Sequence, residues 1–140
     1  MKETNDWNAK KYNKHADFVS ILATPVVELL NPKKDERILD LGCGDGTLAV
    51  DIEKLGSKVI AVDLSENMVK KTKEKGLEAY VMSATELSFE NEFDAVFSNA
   101  VLHWVKEPEV ALEKIYKSLK SEGRFIAEFY DDFTSNIFEA

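Results

Sequence analysis

The chain has 140 residues, of which 44% are hydrophobic and 31% are charged, the composition of one globular domain large enough to bury a core. Asp and Glu number 26 against 18 Lys and Arg, and the formal net charge of −8 disfavours general electrostatic binding to nucleic acid or to an anionic membrane. The basic run KKTKEK at 70–75 is interpreted as the solvated face of a helix.

The sequence favours a cytoplasmic protein. Its polar N-terminal segment lacks the apolar core of a signal peptide, and no apolar run approaches the roughly 20 residues that span a bilayer. Cys43 is the only cysteine, which excludes a disulfide framework and a zinc-binding cysteine pair. We therefore expect no structural metal.

The first 35 residues are predicted to form a helical cap on a core that spans 36–140. Pro25 either kinks a long helix or starts a second one, with Thr24 as its N-cap. Apolar side chains recur at helical spacing, at Phe18, Ile21, Leu22, Val26, Leu29 and Leu30.

From residue 36 onward, predicted strands alternate with predicted helices. The strands are expected at 37–41, 58–63, 77–82, 93–99 and 124–130. The helices are expected at 47–55, 65–75 and 109–120. Because the strands are apolar on both faces, they predict a mainly parallel sheet with helices on each side, a single doubly wound, Rossmann-like α/β domain.

The stretch ILDLGCGDGTLAV at 38–50 runs from the first strand into Gly42, Gly44 and Gly46. Ligands of doubly wound sheets bind at the carboxyl ends of the strands. Glycine lets the backbone approach a ligand closely, and the following helix presents free N–H groups. The glycine turn therefore indicates a ligand site rather than a simple connection.

Two ligand classes fit such a turn. A dinucleotide site normally reads G-x-G-x-x-G, whereas this turn reads G-x-G-x-G and has Thr47 where the third glycine would stand. Asp40, just before the turn, suits a cationic ligand such as S-adenosylmethionine better than a pyrophosphate. Asp63 ends the second strand and can accept both hydroxyls of a ribose, a feature common to both classes. A nicotinamide-binding domain remains the alternative at this point.

Four segments, ILDLGCGDGTLA, VIAVDLSENMV, SATELSF and FDAVFSNAVLHWV, resemble the successive motifs of class I S-adenosylmethionine-dependent methyltransferases. WNAKKYNKHADFV and SNAVLHWVKEP are most similar to the small-molecule group that contains trans-aconitate methyltransferase, also called methyltransferase type 11. The resemblance extends from about Trp7 to the end of the chain. It implies methyl transfer from S-adenosylmethionine to a small-molecule acceptor.

The resemblance also implies a cofactor-binding set within the first two motifs. Asp40, Gly42, Gly44 and Gly46 would surround the methionine part and the ribose edge. Asp63 would hold the ribose hydroxyls.

The adenine would lie between the second and third motifs. Leu64 and Met68 would line its ring, and Ala84 and Thr85 would flank its edge. Ser83 stands where many relatives carry an aspartate that accepts a hydrogen bond from the adenine amino group, and this departure implies weaker cofactor binding.

Three further residues are implied in the reaction. Asn99, at the end of the fourth strand, would face the methionine part near the methyl group, and Tyr12 would help to close the site. His103 would act as general base, orient the acceptor or simply pack.

The C-terminal segment departs from the family pattern, in which an antiparallel strand pair follows strand five. TSNIFEA at 134–140 is interpreted as the start of a helix, which would leave 124–130 as an uncovered sheet edge. We therefore expect a homodimer, a partner chain on that edge, or a fragment of a longer protein. The alternative function is a catalytically incomplete cofactor-binding module that acts through a partner.

Overall fold

A computed structural model describes residues 25–99, 105–130 and 135–139 of the chain. The helices are α1 Pro25–Leu30, α2 Thr47–Lys54, α3 Glu66–Glu74 and α4 Pro108–Ser118, with a short 3₁₀ turn at Ala84–Glu86. The strands are β1 Arg37–Leu41, β2 Lys58–Asp63, β3 Glu78–Val81, β4 Phe93–Asn99, β5 Leu119–Tyr130 and β6 Ser135–Glu139.

The strands form one sheet in the order β3-β2-β1-β4-β5-β6. Pairing is parallel from β3 through β5, and β6 pairs with β5 antiparallel. The strand order reverses between β1 and β4, so the switch point of the sheet lies directly beyond the carboxyl end of β1. The predicted doubly wound fold is confirmed.

Two apolar layers cover the sheet, one on each face. On one face, α4 and the 3₁₀ turn pack on alternate strand residues that include Leu39, Val62, Val96 and Phe125. On the other face, α1 and α2 pack on Ile38, Val59, Phe97 and Ile126. Strands buried on both sides are what a helix-covered parallel sheet requires.

The C-terminal expectation is wrong in two respects. Residues 135–139, read as the start of a helix, form β6, and this strand covers the edge of β5 from Ile126 to Tyr130. Strand β5 is therefore not the uncovered edge that the sequence predicted there. One antiparallel strand follows β5 within the described residues, where the family pattern has a pair.

The boundary between α4 and β5 also differs from the prediction. The helix ends at Ser118, and Leu119 adopts an extended conformation and pairs with Phe93. The register shifts between Phe93 and Ala95, and Glu122 has a φ of 68°. Strand β5 thus starts five residues earlier than expected, with an irregularity in its pairing with β4.

Helix α1 begins at Pro25, where the sequence indicated a kink or a helix start. The rest of the predicted helical cap, residues 1–24, lies outside the described residues. Across the ranges that the structure describes, no helix combines the length and apolar character needed to cross a bilayer.

Candidate functional site

The glycine turn lies at the switch point of the sheet. The carbonyl of Val62 accepts hydrogen bonds from Gly42 N at 2.8 Å and Cys43 N at 2.9 Å, which fixes the turn to the end of β2. From α3, the hydroxyl of Thr72 donates to the carbonyl of Gly44 at 2.9 Å. Because β1, β2 and α3 all hold the turn, its shape is set before any ligand arrives.

The N–H groups of the turn are largely engaged inside the protein. Besides the two bonds to Val62, Gly44 N donates to Asp63 Oδ2 at 2.9 Å and Gly46 N donates to the Cys43 carbonyl at 3.1 Å. A pyrophosphate site needs such N–H groups free to point at the phosphate oxygens. The turn is therefore poorly equipped to hold a dinucleotide.

The glycines of the turn have different roles. Gly44 has a φ of +59°, and a Cβ built there would have no heavy atom within 4 Å. Gly46 has a φ of +87°, and a Cβ there would come within 2.9 Å of Thr72 Oγ1 and 3.2 Å of Leu77 Cδ1. Gly44 suits close approach of a ligand, whereas Gly46 is required for packing.

Asp63 joins the glycine turn to the start of α3. Its Oδ2 accepts from Gly44 N and its Oδ1 accepts from Ser65 N, each at 2.9 Å. An ionised carboxylate offers about four acceptor positions, so about two remain for a ligand. A capping role and a role in binding ribose hydroxyls are compatible at this residue.

Asp40 is buried on β1 directly before the turn, with 3% of its surface exposed. Burial, reinforced by the negative charge of Asp63, raises the pKa of Asp40 to about 8. A carboxyl so perturbed at a switch point marks a functional site. A cation bound nearby would favour its ionised form.

An open cavity of about 330 Å³ lies beside the turn. It is lined by Leu41, Gly42, Asp63, Leu64, Met82, Ser83, Ala84, Thr85, Val105, Lys106 and Glu107. Leu64 is 72% exposed, which leaves an apolar surface at the rim for a flat aromatic ligand. The cavity thus brings together the predicted residues Gly42, Asp63, Leu64, Ser83, Ala84 and Thr85, whereas the predicted Asp40, Gly44 and Gly46 are not among its lining residues.

Ser83 holds the 3₁₀ turn in shape. Its hydroxyl accepts from Thr85 N at 3.2 Å and lies 3.0 Å from Thr85 Oγ1. Ser83 is thus the N-cap of the 3₁₀ turn.

Other predicted residues either do not line the cavity or are not fully described by the structure. Met68, in the first turn of α3, is half-buried but is not among the lining residues. Asn99 ends β4 at the carboxyl edge, but its side chain lies outside the description. Tyr12 and His103 lie outside the described residues.

Sequence reasoning missed Leu41, Met82 and the segment Val105–Glu107 as cavity residues. Met82 directly follows β3, so the rule that ligands bind at carboxyl ends of strands could have found it. The segment 105–107 lies within SNAVLHWVKEP, a stretch that resembles the family, but the resemblance implied no cavity role for it. It reaches the cavity because α4, which follows it, packs on the 3₁₀ turn.

A sequence model of the methyltransferase domain family matches residues 39–127, well over half of the chain. The chain belongs to the class I S-adenosylmethionine-dependent methyltransferases. The predicted fold family and cofactor are thereby confirmed, and the nicotinamide-binding alternative falls away. S-adenosylmethionine is the cofactor of this methyltransferase domain.

Among curated relatives, the methyltransferase domain is 38% identical over 132 residues to an uncharacterized methyltransferase of Schizosaccharomyces pombe, with 87% of this chain and 50% of the relative covered. It is 35% identical over 126 residues to a trans-aconitate 2-methyltransferase of Rhodococcus jostii, with 86% of this chain and 48% of the relative covered. The chain spans about half the length of these relatives.

Among solved structures, the domain is similar to a Haemonchus contortus phosphoethanolamine N-methyltransferase in complex with S-adenosylhomocysteine. The TM-score is 0.71 at 30% identity, with 79% of this chain and 28% of the other covered. As for metals, no group of three or more His, Cys, Asp or Glu residues suited to hold an ion occurs in the described part of the chain.

Proposed function

We propose that this domain binds S-adenosylmethionine in the cavity at the switch point and transfers its methyl group to a small-molecule acceptor. The observation that carries the proposal is the glycine turn, whose N–H groups are engaged internally while Asp40 and Asp63 stand beside it. Such a site favours a cationic nucleoside over an anionic dinucleotide. The similarity to a trans-aconitate 2-methyltransferase supports a small acceptor.

We assign residues of the site to each of the three parts of the cofactor. The free acceptor positions of Asp63 would take the ribose hydroxyls, and Leu64, Ala84 and Thr85 would enclose the adenine. The bare backbone of Gly44 and the carboxyl of Asp40 would lie toward the methionine part.

The remaining predicted residues keep their proposed roles. Gly42 and Gly46 would lie beside the methionine part and the ribose edge, Met68 would line the adenine ring with Leu64, and Ser83 would lie near the adenine edge. The role that the family resemblance implies for Asn99, at the end of β4, is near the methionine part.

The bound cofactor supplies a methyl carbon already activated by its sulfonium. The residues of the chain have to align an acceptor with that carbon and keep water out. Tyr12 would close the site from the N-terminal cap. His103, a few residues beyond β4, would orient the acceptor or remove its proton.

Calorimetric titration with S-adenosylhomocysteine tests the cofactor site. We expect saturable binding that weakens at least tenfold in Asp63→Asn, because the amide cannot accept from Gly44, Ser65 and the ribose together. Asp35→Asn, at an exposed residue in the turn before β1, is the matched control and should bind normally. Saturable binding of NADH without binding of S-adenosylhomocysteine would overturn the proposal.

A second candidate function follows from the chain's spanning about half the length of its curated relatives. On this reading the 140 residues bind the cofactor but need further chain, or a partner, to hold an acceptor. Both candidates predict binding of S-adenosylhomocysteine. Transfer of radiolabelled methyl groups by the isolated chain to any of a panel of small carboxylates, amines and alcohols would exclude the second.

A further inference from the structure

We propose that Glu107 is a specificity-determining residue that recognises the exocyclic amino group of the cofactor's purine. The inference rests on the proposed function, since it concerns the same cavity. It assigns to the loop before α4 the acceptor role that many relatives give to an aspartate at the position of Ser83.

The wall of the cavity beyond the ribose side is built from two segments that face a common space. One is the 3₁₀ turn with Ser83 before it, and the other is 105–107, which leads into α4. Helix α4 packs directly on the 3₁₀ turn, and Ala84, Leu87, Ala111 and Ile115 share one buried cluster. This packing fixes the position of one segment relative to the other at the cavity wall.

The hydroxyl of Ser83 is occupied within its own turn. It accepts from Thr85 N at 3.2 Å and lies 3.0 Å from Thr85 Oγ1. A serine hydroxyl can accept two hydrogen bonds, and Thr85 N already donates one of them. The wall made by Ser83–Thr85 therefore lacks the strong free acceptor that an aspartate would provide.

Glu107 provides a carboxylate acceptor from the other segment, 105–107. It takes the N-cap position of α4, yet its side chain makes no capping hydrogen bond, while its backbone carbonyl accepts from Val110 N and Ala111 N at 3.1 Å each. Its side chain is exposed rather than packed. Helix α4 also favours a negative charge at this end.

Asp63 and Glu107 are the acidic residues that line the cavity. Asp63 is held at the glycine turn by Gly44 N and Ser65 N, which suits it to the ribose. Glu107 is thus the carboxylate left to accept from the N–H₂ group of the base. Charge-assisted hydrogen bonds are about twice as strong as neutral ones, so one such bond can decide which base is bound.

The test compares S-adenosylhomocysteine with its purine analogue, in which hydrogen replaces the 6-amino group, by titration calorimetry. We expect the wild-type chain to prefer S-adenosylhomocysteine about tenfold. Glu107→Ala should abolish this preference. Glu107→Gln should keep part of it, because its amide oxygen can still accept.

Glu109→Ala is the matched control, since it removes the same charge from the first turn of α4 at a residue outside the cavity. This variant should retain the full preference. Unchanged preference in Glu107→Ala, or no preference in the wild-type chain, would overturn the inference while leaving the proposed function intact. Failure of the wild-type chain to bind S-adenosylhomocysteine would instead overturn the proposed function.

Discussion

The glycines of the turn show how single residues divide between binding and folding. Gly44 and Gly46 both have positive φ angles, but open space faces the first and Thr72 faces the second. The repeat pattern in the sequence does not distinguish them. Their substitution by alanine should therefore have different consequences.

We expect Gly46→Ala to lower the free energy of unfolding by roughly 2–3 kcal/mol, because a methyl group there would collide with Thr72 in a strained backbone. Gly44→Ala should cost only about 1 kcal/mol of stability, since its Cβ meets nothing. It should nevertheless weaken cofactor binding more strongly than its stability loss suggests. Urea unfolding and titration of S-adenosylhomocysteine on both variants measure the two effects, and equal stability losses would contradict this assignment.

Asp40 gives a pH dependence of stability with a definite sign. Its pKa rises from 3.8 to about 8 on burial, so the unfolded chain loses this proton at lower pH than the folded chain. The contribution of Asp40 to the free energy of unfolding therefore falls as the pH rises from about 4 to about 8. Above that window it should no longer change.

Asp40→Asn removes the titrating group with little change of shape. We expect the stability of this variant relative to wild type to increase with pH through the window, in urea unfolding at several values between about 5 and 8. Asp35→Asn, which changes an exposed carboxyl, should show no comparable trend. A flat difference for Asp40→Asn would mean that Asp40 is ionised throughout the window.

At the scale of elements, one guanidinium ties α1 to two strands. Arg124 on β5 donates to Glu36 through both Nη atoms, at 2.9 and 2.7 Å, and through Nε to the Leu30 carbonyl at 2.8 Å. Its Nη2 also donates to the carbonyl of Asn31 at 3.2 Å. The C-terminus of α1 and the start of β1 are thereby fixed to β5.

Arg124→Met should lower the free energy of unfolding by roughly 2–3 kcal/mol, because Glu36 loses both guanidinium hydrogen bonds and keeps the one from Lys33 N, while the Leu30 and Asn31 carbonyls lose the donor on Arg124. The hydrogen bond from Arg124 holds the pKa of Glu36 below 4.5, so the stability it adds is present above that value and lost as the pH falls further. The difference in the free energy of unfolding between Arg124→Met and the wild-type chain should therefore become smaller at acidic pH. Lys120→Met, which removes an exposed pair with Asp94 at 3.4 Å, should cost less than about 1 kcal/mol.

The elements that the sequence predicted well are those with an unambiguous apolar pattern. Strands β1, β2 and β4 match their predicted bounds, and α3 lies within the predicted range 65–75, with Ser65 as its N-cap accepting from Met68 N. The errors lie where local pattern and tertiary pairing disagree. Leu119 continues the apolar spacing of α4, yet pairing with Phe93 draws it into β5.

The same limit applies to the site. Gly42, Asp63 and Ser83–Thr85 could be placed because they follow strands, and carboxyl ends of parallel strands meet at one edge. Glu107 could not, because it follows no strand directly and the resemblance of SNAVLHWVKEP to the family implied no role for this residue. Only the packing of α4 on the 3₁₀ turn brings it to the cavity.

At the scale of the whole molecule, the sheet depends on β6 to cover β5. Their antiparallel pairing runs from Ile126 with Glu139 to Tyr130 with Ser135. Without β6, the apolar segment 125–130 would present unpaired backbone groups along a sheet edge.

We therefore expect a variant that ends after residue 131 to self-associate at concentrations where the 140-residue chain does not. Size-exclusion chromatography with light scattering, run on both chains at matched concentrations, measures this directly. A truncated chain that stays monomeric would show that the edge of β5 is protected by something other than β6.

The Arg124 cluster lies at the amino end of the sheet, whereas the glycine turn and the cavity lie at the carboxyl end. The strands thus separate the contacts that anchor the domain from those proposed to meet the cofactor. Protein engineers can use this separation, because the amino end is a place to raise heat tolerance without altering ligand recognition. A domain stabilised in this way tolerates more destabilising substitutions. Directed evolution toward new acceptors could then introduce such substitutions at the carboxyl end of the sheet.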